Sequence, residues 1–93
     1  MSTMQVVPLQ GRIIEYTYTV RYIPAEEGGY LAQVPALNGA TTQGETLEEA
    51  RDMVKDLIQG HIEALLKLGR PVPEETEVYQ GEKITVRLIV SVA

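Results

Sequence analysis

The sequence predicts an α+β domain: an antiparallel-rich sheet crossed on one face by a single long helix, in the order β-β-β-α-β. Three observations carry this reading. Residues 12–23 and 83–92 alternate apolar and polar with period two. Residues 47–68 carry apolar residues at helical spacing. Gly, Pro and Asn-Gly punctuation separates the segments between them.

The first eleven residues are short, mixed and broken by Pro8 and Gly11, and are read as an N-terminal arm or tail. In residues 12–23, Ile14, Tyr16, Tyr18, Val20 and Tyr22 share one face, and Glu15, Thr17, Thr19 and Arg21 the other. That is the pattern of a half-buried strand. Pro24 and Gly28-Gly29 end it and turn the chain into a second strand at residues 30–34. Asn38-Gly39 marks the next turn because both residues tolerate positive φ. A short third strand follows at residues 40–43.

Thr46-Leu47-Glu48-Glu49 then reads as a capping box, in which the Thr46 hydroxyl accepts from the Glu49 amide and Glu49 reaches back. Apolar residues continue at Leu47, Ala50, Met53, Val54, Leu57, Ile58, Ile62, Leu65, Leu66 and Leu68, which places one stripe along a helix of roughly 33 Å. Gly69, with Pro71 behind it, is positioned to close the helix. Gly60 interrupts it, and close packing against a neighbour is the expected reason. A Pro- and Glu-rich loop at residues 70–82 leads to the last strand. There Ile84, Val86, Leu88, Val90 and Val92 share one face, while Ile89 breaks the polar one. The even-numbered residues of the first and last strands are expected to meet the helix, leaving a wet opposite face.

Composition narrows the function. At 93 residues the chain is read as one domain, 1–93. It has no cysteine, so disulfide staples and thiolate zinc sites are excluded. Small domains without staples often gain stability by oligomerising, so a homo-oligomer is expected. The net charge is −5, from 13 acids against 8 scattered bases. That balance argues against a phosphate-binding surface and for a basic partner steered by the field. No apolar run is long enough for a membrane span, and the N-terminus does not read as a signal peptide, which points to a cytoplasmic protein.

The middle of the chain carries a family resemblance. Tyr22-Ile23-Pro24-Ala25-Glu26-Glu27-Gly28-Gly29-Tyr30-Leu31-Ala32-Gln33-Val34-Pro35-Ala36-Leu37-Asn38-Gly39 resembles the N-terminal half of HicB-like proteins, where an acidic Gly-Gly-Tyr turn runs into a strand and then a Pro-x-Leu-Pro-Gly turn. Thr42-x-Gly44-Glu45-Thr46-Leu47-Glu48-Glu49-Ala50 is similar to that family's Thr-x-Gly-Asp-Thr-Leu-Glu-Glu-Ala segment, and Gly69-Arg70-Pro71-Val72-Pro73 to its Gly-x-x-Ile/Val-Pro close. Asn38 and Ala40 depart from it, standing where the family often has proline and cysteine. The resemblance implies a truncated ribonuclease H-like fold and an antitoxin that binds and blocks a small basic RNase toxin, HicA. Many HicB-type proteins add a C-terminal DNA-binding domain. Ala93 directly follows a strand here, so neither that domain nor direct DNA binding is expected.

Three functional readings follow. The first is an antitoxin-like inhibitor, with the loop acids Glu26, Glu27, Glu74 and Glu75 as candidate partner-binding residues. The second is a solitary homo-oligomeric module without a toxin. The third is a residual metal-dependent nuclease built from Glu15 and a helix acid such as Asp52 or Asp56. His61, the only histidine, has neither a second metal ligand nor a nucleophile to serve and is read as packed or interfacial. Tyr16, Tyr18, Tyr22 and Tyr30 lack basic neighbours and are read as core rather than as a base-stacking platform. The chain is expected to act without catalytic residues, metal or cofactor.

Overall fold

The computed structural model describes residues 11–91; the arm or tail predicted before them lies outside the described residues. Strand β1 spans Gly11–Pro24, β2 Tyr30–Val34, β3 Ala40–Gly44 and β4 Glu82–Ser91, with helix α1 at Leu47–Lys67 between β3 and β4. A short 3-10 turn, Pro35–Leu37, joins β2 to β3, and Asn38 and Gly39 follow it at φ 58 and 70. The predicted architecture is the observed one: a single antiparallel sheet in the order β3-β2-β1-β4, with α1 on one face.

β1 is the spine of the sheet. Its first ten residues pair with β4, from Gly11↔Ser91 to Val20↔Glu82, and its last four pair with β2, from Arg21↔Gln33 to Pro24↔Tyr30. The even-numbered side chains meet the helix, as the alternation requires. Tyr18, Val20, Ile84, Val86 and Leu88 are buried against Ala50, Val54, Ile58 and Ile62, with Ala32, Val34 and Leu37 completing the core. Tyr16, Tyr22 and Tyr30 pack on its margin.

The helix stripe is narrower than the sequence reading. Only the 50-54-58-62 row is fully buried; Leu47, Met53 and Leu68 are largely exposed. Met53 lies beside that row, and Leu47 and Leu68 lie at the two ends of the helix. The caps form with one change. Thr46 Oγ1 accepts from the Glu49 amide at 3.0 Å, but Glu49 accepts from the Glu45 amide instead of returning to Thr46. At the other end Gly69 adopts φ +68, with Gly69 N donating to Leu66 O and Arg70 N to Leu65 O, which is a Schellman closure. The expectation for Gly60 fails: the position is exposed, and an added Cβ would meet nothing within 4 Å.

Candidate partner-binding surface

The β1–β2 turn is built by main-chain bonds: Ala25 N donates to Gly29 O and Gly28 N to Ala25 O. Gly28 and Gly29 sit at φ +102 and +78, where side chains are strained. This holds Glu26 and Glu27 exposed at the tip. Gly29 also lies so close to the end of β3 that a Cβ there would stand 2.6 Å from Gly44 O. Gly44 in turn lies against the backbone of Glu49 and Ala50 in the first turn of α1. The two glycine-bearing segments, separate in sequence, therefore meet at the helix N-terminus. Between them opens a cleft of ≈ 490 Å³ lined in part by Glu27, Gln43, Glu45 and Glu49. A second cleft, ≈ 380 Å³, lies against the same turn, beside Glu26, Leu31 and Gln43. The result is an acidic rim at the positive end of the helix dipole.

Glu74 and Glu75 lie elsewhere, in the chain between α1 and β4, where a cleft of ≈ 300 Å³ is bordered by Glu15, Tyr16, Thr17 and Tyr18. Glu74 is exposed. Glu75 is not a solvated loop acid. Its Oε1 accepts from the Thr19 amide and its Oε2 from the Thr19 hydroxyl, each at 2.7 Å. Lys83 Nζ closes on Oε2 at 2.9 Å, leaving the side chain 7% exposed. Burial pushes the Glu75 carboxyl up, but the Thr19 donors and Lys83 outweigh it and hold it below the ordinary carboxylate range. Thr19, read as part of the wet face, is fully buried as a result. Beside it the Tyr18 hydroxyl donates to Pro73 O at 2.6 Å, and burial pushes its phenol up.

A further cluster was not visible in the sequence. Arg51 Nε bonds both carboxylate oxygens of Glu82, at 2.9 and 3.1 Å, while the Tyr22 hydroxyl donates to Glu82 Oε1 at 2.6 Å. The Arg51 guanidinium lies 5.9 Å from the Tyr22 ring centroid. Burial, then the bond to Glu82, pushes Tyr22 up to about 12. The bonds from Arg51 and Tyr22 hold Glu82 low. These residues tie α1 to β1 and to the start of β4.

The nuclease geometry does not assemble. Glu15 lies on the exposed sheet face and pairs with Arg87 at 2.7 Å, whereas Asp52 and Asp56 ride on the helix across the opposite face. Among the described residues no three His, Cys, Asp or Glu side chains converge into a metal-holding group. His61 is half-buried on α1. No helix among the described residues is long and apolar enough to cross a membrane.

The sequence signature of the UPF0150-like family matches residues 18–73. A UPF0150 protein of Thermoplasma acidophilum is 41% identical over 69 residues, covering 74% of this chain and 94% of that protein. One from Synechocystis is 38% identical over 71 residues, 76% of this chain and 90% of the relative. Antitoxin HicB 1 of Photorhabdus laumondii is 38% identical over 56 residues, 60% of this chain but 36% of that longer protein. The matched span holds the second half of β1, the acidic turn, the Gly29–Gly44 junction and the whole of α1, and on that evidence the chain belongs to the UPF0150-like family of HicB-related proteins.

Proposed function

We propose that the chain is an antitoxin-like protein that binds and occludes a small basic RNase of the HicA type, acting in the cytoplasm by association and not by catalysis. The observation that carries this is the acidic rim. The two segments that resemble HicB-like proteins meet at Gly29 and Gly44 and there present Glu26, Glu27, Glu45 and Glu49 around open clefts. A chain of net charge −5 with such a rim favours a cationic partner. Glu26 and Glu27 are the contact acids of this reading. Glu74 offers a secondary contact, and Glu75 supports its own loop. The kinship with a HicB antitoxin supports the same role.

The test begins with affinity purification of the tagged protein from its native host and mass spectrometry of what co-elutes. A stoichiometric small basic protein whose RNase activity is suppressed by this chain supports the reading. Reversing Glu26 and Glu27 to lysine should then slow association roughly tenfold at low salt, as expected for rim charges that steer encounter. Recovery of the bait alone, as a discrete oligomer, favours the second reading, a solitary homo-oligomeric module. The long edge of β4, unpaired among the described residues, is the feature that supports that alternative.

A further inference from the structure

β4 is an edge strand of ten residues, and among the described residues nothing pairs with its outer side. Edges of that length are normally shortened, bulged, interrupted by proline or guarded by free charge, because a row of unpaired main-chain groups invites another strand. β4 has no proline, and its register with β1 runs without a bulge from Glu82 to Ser91. It carries two cations, Lys83 and Arg87, but both are neutralised within the chain, by Glu75 at 2.9 Å and Glu15 at 2.7 Å. Cations paired within their own chain guard an edge less strongly than free ones, but they still disfavour registers that set like charges directly opposite.

The orientation of its main chain follows from Thr19. That residue sends its N–H away from β4, to Glu75, so the odd residues of β1 face the β2 side and the even residues bond to β4. Antiparallel pairing then makes Ile84, Val86 and Leu88 bond to β1, while Lys83, Thr85, Arg87 and Ile89 aim their N–H and C=O groups outwards. The outer edge is uniform from 83 to 89.

We propose that β4 pairs antiparallel with β4 of a second copy, about a two-fold axis through Val86, to give a continuous sheet of order β3-β2-β1-β4-β4-β1-β2-β3. Overlap and charge together select this register, because centring on Ile84 or Leu88 sets part of the outward run 83–89 against residues outside that run. Centring on Arg87 sets that guanidinium against its own copy, and centring on Thr85 sets Lys83 against Arg87. Centring on Val86 sets Lys83 against Ile89 and Thr85 against Arg87, with no like charges opposed, and Ile84 against Leu88 on the helix side. It forms about eight main-chain hydrogen bonds, two for each hydrogen-bonded pair. It also lays the aliphatic stem of Lys83 over Ile89, which is 77% exposed in the single chain. This interface does not depend on the antitoxin reading.

Sedimentation equilibrium of the full chain tests it. The expected species is a reversible dimer of twice the 10.3 kDa chain. A monomer at high micromolar concentration would overturn the proposal. The register is tested by two substitutions at one exposed position, both leaving the fold measurable by circular dichroism. Ile89→Lys opposes two ammonium groups across each half of the ladder and should weaken dimerisation roughly tenfold. Ile89→Glu faces Lys83 of the other copy and should hold or tighten the dimer. Equal effects of the two variants, or none from either, would overturn this edge and register.

Discussion

Glu75 binds Thr19 with both carboxylate oxygens, one taking the backbone N–H and the other the hydroxyl, each at 2.7 Å. The bonds fall just where β2 stops covering β1, so a side chain from an irregular loop completes the hydrogen bonding of a fully buried strand residue. Glu75→Ala removes both acceptors and leaves a buried N–H and hydroxyl without partners. Hydrogen bonds to charged groups contribute about 1.5–3 kcal/mol each to stability, not additively. The expected loss is about 2–3 kcal/mol, read as a lower urea midpoint at unchanged slope.

The same carboxylate sets an acid limb. The pKa values of Glu75 and Glu82 are both held below 4.5, the ordinary value, by the donors around them. Because the folded state binds the proton less readily than the unfolded chain, the stabilisation is fully present above the unfolded value and is lost as pH falls through the folded one. Urea midpoints should be level from neutral pH down to about 5 and fall below about 4.5. Glu75→Gln should start less stable and show a shallower fall.

How much of this was legible beforehand depended on range. Alternation at Ile14–Tyr22 and Ile84–Leu88 fixed which side chains meet the helix, because a pleated strand has only two faces. The Thr46 cap and the Gly69 closure were legible because their bonds are local. The burial of Thr19 was not: its partner lies 56 residues away in a segment without periodicity. The Tyr22–Glu82–Arg51 cluster was hidden for the same reason, spanning 60 and 31 residues. The resemblance placed the Gly28-Gly29 and Gly44 segments in order, but only the fold brings Gly29 against Gly44. Spacing likewise gave the direction of the helix stripe and not its width, because only the 50-54-58-62 row is fully buried.

An alkaline limb is expected from Tyr22. Burial first, and the bond to Glu82 second, push its phenol from 10.0 to about 12. Here the folded state holds the proton more tightly. The contribution is complete below pH 10 and is lost as pH rises through about 12. Ultraviolet titration should show Tyr22 ionising late and only as the fold loosens. Tyr22→Phe should remove that late phenol and lessen the drop in stability between these values.

Two glycines give opposite expectations for the same substitution. Gly60 lies at an exposed position inside α1, at neither a turn nor a close approach, and a Cβ there meets open space. Gly60→Ala removes backbone entropy from the unfolded chain and should stabilise by about 1 kcal/mol. That corresponds to a melting temperature raised by roughly 4–8 °C in a domain of this size. Gly44→Ala places its Cβ against the amide and Cα of Ala50, backbone atoms that cannot rotate aside. The strand end and the first helical turn must then separate, at a cost of about 1–3 kcal/mol or more. The separation would also carry Glu45 and Glu49 away from the β1–β2 turn that bears Glu26 and Glu27. Thermal melts of the two variants beside the parent chain check both signs. If Gly44→Ala were tolerated as well as Gly60→Ala, the close junction that shapes the acidic rim would be refuted.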